Sequence, residues 1–373
     1  MTAALLLALS LAADPCAPRP WPLFDRYVER FVSSDGRVVD RTHGDRTVSE
    51  GQAYLAFFSL AAGDRALFDR ALRWSVDNLA RGDLEARLPA WLWGRDERGA
   101  WRVLDDNAAT DADLWMAYAL VEAGRLWSSP RYDALGRALL ANVVRSELAE
   151  LPGLGPMLLP APRGFEIKAG RAWRLNPSYL PPHVARGLVA AGVPGPWGAI
   201  LAAHLRMLRE SAERGWIPDW VLFRNGRFEA DPVTGRAASY DAIRVYLWNG
   251  MLSEQDPLRA ALLAAADGPA KLVARRAAMP ELVDAATGAR RGLAPPGFLA
   301  ALIPDALARG DRAGARWLSE VLGRARWGGL YGQPPSYYDQ DLALFGEGFA
   351  EERFRFTAQG RLAPEWEGTC LRR

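Results

Sequence analysis

Three acidic residues stand at the starts of apolar, aromatic-rich runs, and together they could break a bond by moving protons. Glu50 lies in Ser49-Glu50-Gly51-Gln52, directly before the apolar run Tyr54 to Leu60. Asp111 belongs to the acid cluster Asp105-Asp106-Asn107-Ala108-Ala109-Thr110-Asp111-Ala112-Asp113, which leads into a helix at Leu114. Asp241 sits in Ser239-Tyr240-Asp241-Ala242-Ile243-Arg244, flanked by an aromatic and followed three residues later by Arg244. Singly, each has a plain structural explanation: a first-turn acid complementing the helix dipole, an N-cap, or an i,i+3 ion pair worth about 0.2–0.5 kcal/mol. The spacing in the 105–113 cluster does not fit an EF-hand calcium loop. Jointly, the three suit cleavage of a glycosidic bond, in which one protonated carboxyl donates to the leaving oxygen and another activates water.

Other chemistries lack their residues. The 373 residues include only three histidines (His43, His183, His204) and two cysteines (Cys16, Cys370), with no HExxH or CxxC, so the usual zinc ligand sets cannot be assembled and no metal is expected. There is no GxxxxGK[ST], and Gly153-Leu154-Gly155 lacks a third glycine and lies between Pro152 and Pro156, so no nucleotide or other cofactor is expected. A GxSxG elbow is also missing. Lys+Arg number 46 against 44 Asp+Glu, a net charge of +2, and no run of five basic residues occurs, which speaks against nucleic acid as a partner. The composition, 50% hydrophobic and 24% charged, is that of a globular protein able to bury a sizeable core. Its 15 Trp, 13 Phe and 10 Tyr build that core or line a groove for ligands with flat apolar faces, such as sugar rings.

The elements that must position these residues read as mostly α. At the start, Ala3 to Ala13 is apolar except for Ser10, too short to span a bilayer but the length of a signal-peptide core, followed by the small-x-small pattern Ser10-Leu11-Ala12. The alternative is a buried N-terminal helix, and the usual Lys/Arg before the apolar run is missing. Residues 1–13 are thus expected to be a signal peptide, 14–373 a single catalytic domain, and the mature protein periplasmic or secreted without stable membrane insertion. In an oxidising compartment, Cys16 and Cys370 at the two ends of the mature chain suit a disulfide. Spacing of apolar positions by 3, 4 and 7 predicts helices at Glu50 to Ala62, Asp64 to Ala80, Asp111 to Trp127, Tyr132 to Leu148, Tyr179 to Ala191 and Trp197 to Glu213. Further helices are predicted at Asp241 to Gly250, Pro257 to Ala266, Phe298 to Ala308, Ala313 to Arg324 and Asp339 to Glu351. They pair across short turns without a fixed repeat, which leaves an antiparallel helix-pair barrel or an irregular all-α bundle. The connections 82–107 and 151–182 are too long and too aromatic for plain linkers, which marks them as functional loops.

The segment Ala109-Thr110-Asp111-Ala112-Asp113-Leu114-Trp115-Met116-Ala117-Tyr118-Ala119-Leu120, with Ala123 and Trp127, resembles the signature of glycoside hydrolase family 8. SEGQAY (49–54), RLPAWLWG (87–94), NPSYLPP (176–182), SYDAIRVYLW (239–248) and FRF (354–356) follow the order seen in that family's periplasmic endoglucanases of bacterial cellulose synthesis operons. The likeness spans nearly the whole mature chain, including a cysteine near each end. It implies an all-α (α/α)6 barrel of paired antiparallel helices and cleavage with inversion. By the resemblance, Glu50 matches the general acid, Asp241 the general base and Asp111 the acid that holds the distorted sugar. Glu50 would have to stay protonated near neutral pH and Asp241 ionised, a state that Arg244 would favour. Tyr240 is similar to the tyrosine that orients base and water, and Trp91, Trp93, Trp173, Tyr179, Tyr337 and Tyr338 stand where stacking residues are expected, with Asn176 as a donor to hydroxyls. The implied function is an endo-β-1,4-glucanase acting on cellulose as it is made or exported, with the β-1,4-glucan chain as substrate and the cellulose synthase and export machinery as partners. Xylan, chitosan and mixed-linkage glucan are alternative substrates within the family, though the long loops show no surplus of acids to meet the amino groups of chitosan. A non-catalytic glucan-binding role is the rival reading, against which the intact acid pair argues.

Overall fold

Whether a helix is apolar all round or on one face decides where it goes, and this chain has both kinds. The computed structural model describes residues 19–167 and 170–370. Residues 1–13, expected to be a signal peptide, Cys16 and the side chain of Cys370 lie outside what is described. Among the described residues there are fourteen helices: α1 (Pro22–Phe31), α2 (Ser49–Ala61), α3 (Arg65–Leu79), α4 (Thr110–Leu126), α5 (Pro130–Glu147), α6 (Pro182–Ala190), α7 (Trp197–Ser211), α8 (Ala242–Gly250), α9 (Arg259–Ala265), α10 (Gly268–Ala274), α11 (Pro296–Ala308), α12 (Arg312–Arg324), α13 (Tyr337–Ala350) and α14 (Glu365–Cys370). The protein is thus mostly α. In α2, α4, α8 and α11 nearly every residue is buried, while α1, α3 and α12 bury one stripe and turn charges outward.

The buried helices touch in order: α2 packs on α4, α4 on α6, α6 on α8, α8 on α11, α11 on α13, and α13 back on α2. Amphipathic helices lie against them, α3 on α2, α5 on α4, α7 on α6 and α12 on α11. Tight spots are made by glycine. A side chain at Gly346 would meet the Ala300 backbone, and one at Gly250 would meet Pro304 and Asp305, so α13 and α8 approach α11 closely only because these positions carry none. The core is rich in aromatics, with Phe57 and Trp248 each packed on both Trp115 and Phe345, which also touch each other. Asp64, at the start of the helix expected from Asp64 to Ala80, caps α3: its side chain accepts from the Leu67 N–H at 2.9 Å.

Several boundaries differ from the sequence reading. The helix α1 was not anticipated, although Leu23, Phe24, Tyr27 and Phe31 form its buried stripe. The helix expected over Tyr179 to Ala191 begins only at Pro182, because Pro181 and Pro182 suit the entry and first turn of a helix but not its interior. The one expected over Pro257 to Ala266 shrinks to α9, and α10 follows it as a separate short helix. The long connections carry strands of their own, and among the described residues sixteen short strands, the shortest of two residues, form six small sheets. Among them β1 (Thr47–Val48), β2 (Leu92–Arg95) and β3 (Trp101–Asp105) form one sheet, β4 (Leu148–Leu151) and β5 (Gly155–Leu158) a hairpin, and β6 (Glu166–Ile167), β7 (Ala172–Leu175), β8 (Val221–Arg224) and β9 (Arg227–Ala230) a four-stranded antiparallel sheet. This last sheet covers a separate apolar cluster that contains Trp173, Met207 and Phe223. Trp173, expected among stacking residues, is therefore spent on packing.

Candidate active site

The N-termini of the buried helices carry the acids. Glu50 is in the first turn of α2, Asp111 in the first turn of α4, and Asp241 immediately precedes α8. Each carboxyl thus stands at the positive end of a helix dipole. Strand pairing brings in the rest. Val48 of β1 faces Leu92 of β2, and the Ser49 N–H donates to the Trp91 carbonyl at 3.0 Å, so Trp91 arrives beside Glu50. Leu175 of β7 faces Val221 of β8, so Asn176 and Trp220 leave the sheet side by side. An open cleft of about 600 Å³ passes these ends, bordered by Glu50, Asp241, Arg244, Tyr240, Tyr337 and Tyr338 and, on its rim, by Asp40, His43 and Arg46.

One guanidinium ties the acids together. Arg244, its side chain only 4% exposed, donates from Nη1 to Glu50 Oε1 and, at 2.8 Å, to Asp111 Oδ2, and from Nη2 to Asp241 Oδ1 at 2.7 Å. The Tyr54 hydroxyl donates to Glu50 Oε1 at 3.1 Å. The sequence reading placed Arg244 as a local partner of Asp241; it is the hub of the whole constellation. One positive charge is shared among three carboxylates, and the proton affinity of two of them, Asp111 and Asp241, is raised. Burial pushes Asp111 up to about 7, although its Oδ1 accepts the Ala112 N–H at 2.8 Å. Asp241 is pushed up to about 8 by burial and by the charges of Asp219 and Asp111, while Asn176 and Trp220 pull the other way. Because 27% of its side chain reaches the cleft, solvent tempers that push, but the direction stands on two neighbouring carboxylates as well. Arg244, expected to favour the ionised form of Asp241, shares its guanidinium three ways.

The expected binding residues fall into three groups. Trp91, Asn176, Tyr179 and Tyr338 adjoin the acids. Trp91 is half-buried and its indole N–H bonds Asp105. The Asn176 amide nitrogen is buried without a partner at hydrogen-bond distance. Tyr179 lies under the Arg244 guanidinium, 5.5 Å from ring centre, and edge-on to Trp220. The Tyr338 hydroxyl donates to the Tyr240 carbonyl at 2.7 Å. Trp93 and Tyr337 are partly consumed by packing: Trp93 stacks on Trp101 at 4.8 Å, with Trp74 at its edge, and Tyr337 is buried against Gly51. Tyr240 is 45% exposed, but its hydroxyl donates to Glu281 Oε1 at 2.8 Å and not to Asp241. Residues missed by the sequence reading are Tyr54, Asp219, Trp220 and the rim pair Asp40 and His43, joined at 2.8 Å. The run Trp216-Ile217-Pro218-Asp219-Trp220, an acid between aromatics in a turn, was the available signal for two of them.

Known proteins resemble this chain over almost its entire length. The profile of Glycosyl hydrolases family 8 matches residues 1–352. An endoglucanase of Xanthomonas axonopodis pv. citri (strain 306) is 49% identical over 365 residues, which cover 98% of this chain and 94% of that protein. An endoglucanase of Salmonella typhi is 40% identical over 368 residues, covering 98% and 96%. The crystal structure of an endo-1,4-D-glucanase from Vibrio fischeri ES114 superposes with a TM-score of 0.86 at 35% identity, covering 93% of this chain and 99% of that one. With its acids gathered on one guanidinium and its likeness to these enzymes running nearly end to end, the chain belongs to glycosyl hydrolase family 8.

Proposed function

We propose that the protein is an inverting endo-β-1,4-glucanase that cuts internal bonds of cellulose during its synthesis and export. The observation that carries the reading is the convergence of Glu50, Asp111 and Asp241 on Arg244 at the edge of an open cleft. In this reading Glu50 is the general acid that protonates the leaving oxygen, and Asp241 is the general base that takes a proton from water. Asp111 holds the sugar at the cleavage point. Inversion needs roughly 6.5–9.5 Å between the two working carboxyls to admit water, and a guanidinium bridging the pair is a spacer of that order. Trp91, Trp93, Tyr179, Tyr337 and Tyr338 would offer ring faces to glucosyl units and Asn176 a donor to a hydroxyl. Tyr240 would act on Asp241 through the backbone of the turn they share.

The closed order of contacts among α2, α4, α6, α8, α11 and α13, backed by amphipathic helices, supports an (α/α)6 barrel as a single domain over 14–373. The apolar leader supports a periplasmic or secreted protein, and no helix among the described residues is long and apolar enough to cross a membrane. The endoglucanase relatives and the family support β-1,4-glucan as substrate. The deciding experiment is NMR of the anomeric protons of fresh products from cello-oligosaccharides. Initial α-anomer, absent with Glu50→Gln, is the expected result. Initial β-anomer would refute inversion, and no product at all would leave only a glucan-binding role.

A further inference from the structure

The turn Ser239-Tyr240-Asp241, which leads into α8 at Ala242, has no regular structure of its own, yet nearly every polar group in it is held. From one side, Asp219 Oδ1 accepts the Ser239 N–H at 2.8 Å and the Ala242 N–H at 2.7 Å. From the other, the Glu281 carbonyl accepts the Ser239 hydroxyl at 2.7 Å and its carboxylate accepts the Tyr240 hydroxyl at 2.8 Å. Tyr338 fixes the Tyr240 carbonyl. Of these clamps only Asp219 grips the turn on both sides of Asp241, and it is only 9% exposed. It is also an acid placed next to an acid. A neutral amide could accept the same two N–H bonds, so the clamp alone does not require a charge there.

We infer that Asp219 is a positioning residue with two effects: it fixes the backbone that aims Asp241 into the cleft, and its negative charge sets the pH at which Asp241 releases its proton. This rests on Asp241 being the base. The groups that face Asp241 are Arg244 on its own helix, Asp111 from α4, Tyr179 and Tyr338 from neighbouring segments, and Asp219 itself, with Glu50 reached through the shared guanidinium. Of these, Arg244 favours the ionised form, Asp219 and Asp111 oppose it, and the tyrosines are neutral at working pH. Asp219 keeps its own charge through the N–H bonds of the turn, which oppose the upward push of its burial to about 6. Its neighbour Trp220 faces the Asp241 carboxylate directly, so a single dipeptide aims and tunes the same group.

The test compares Asp219→Asn, Asp219→Ala and Asp241→Asn by kcat and kcat/KM for cellopentaose across pH, with thermal melts of each. Asp219→Asn keeps the acceptor and loses the charge. Its acidic limb of kcat/KM should move down by about one pH unit, because the neighbouring negative charge that holds the Asp241 proton is gone. Asp219→Ala should lower kcat at least about tenfold with little change in KM, since the aim is lost and not the binding surface. An unmoved acidic limb in Asp219→Asn would overturn the inference, even if Asp219→Ala fails to fold. Turnover that survives in Asp241→Asn would instead overturn the assignment of the base, which separates the two failures.

Discussion

Helix α4 buries carboxylates at both of its ends, and the two ends treat them differently. Near its C-terminus, Glu122 is fully buried and faces Arg125 at 2.8 Å and Arg361 at 2.5 Å, while its Oε2 also accepts the Leu362 N–H at 3.1 Å. Near its N-terminus, Asp111 shares Arg244 with Glu50 and Asp241, and Asp113, fully buried, faces another acid, Glu147. One end has two cations for one inner acid; the other has one cation for three, with two more acids behind. An acid with partners to spare pins the chain through its ion pairs. Asp111 and Asp241, short of partners, are pushed up to about 7 and about 8, near the pH at which a carboxyl can both hold and release a proton, a property that acid–base chemistry uses and that structure alone would not select.

The largest effects should come from removing proton chemistry at the under-neutralised end. Glu50→Gln and Asp241→Asn should each lower kcat by about 10²–10⁴ while binding of cello-oligosaccharide, followed by calorimetry, stays within a few fold. A near-normal kcat in either variant would remove that residue from the mechanism. Arg244→Met should come next, with kcat/KM down about 10²-fold or more, because the three acids lose their common anchor and repel one another. At the well-paired end, Glu122→Ala leaves Arg361 without its acid and Arg125 with Glu367 alone; urea unfolding should show about 3–5 kcal/mol lost, with turnover per folded molecule unchanged. If that variant lost turnover and kept its stability, the contrast between the two ends would collapse.

The smallest effect concerns pH. Burial pushes Glu147 up to about 8, above its value in the unfolded chain. The folded state therefore holds a proton that the unfolded state releases, so this stability is present at low pH and is lost as pH rises through about 8. Glu147→Gln should flatten the fall of the thermal midpoint between about pH 4.5 and about pH 8 relative to the unaltered chain. Equal slopes for the two proteins would mean that the acid behind Asp111 is not protonated in the folded state.

Much of this was legible in residue order. Glu50, Asp111 and Asp241 announce themselves as acids entering apolar helices, and the strict apolar runs of α2, α4 and α8 say that these helices are surrounded on all sides. Asp64 as a cap was readable from one residue, because capping is a local hydrogen bond. The helix α1 was missed even though its stripe is regular, because it follows closely on an apolar leader that absorbs the same pattern. Asp219 and Trp220 could not be placed from spacing: they reach Asp241 only because β7 and β8 pair so that Leu175 meets Val221, and pairing register is a property of the folded sheet.

The sequence by itself determined which chemistry was available and which helices would be enclosed, since side-chain type and apolar period are written residue by residue. Only the tertiary structure decided how many cations the acids must share, which tryptophans pack on one another and which face the cleft, and that the Tyr240 hydroxyl meets Glu281. Those are matters of distance between segments up to about two hundred residues apart, and charge, burial and proton affinity depend on distance, not on order along the chain.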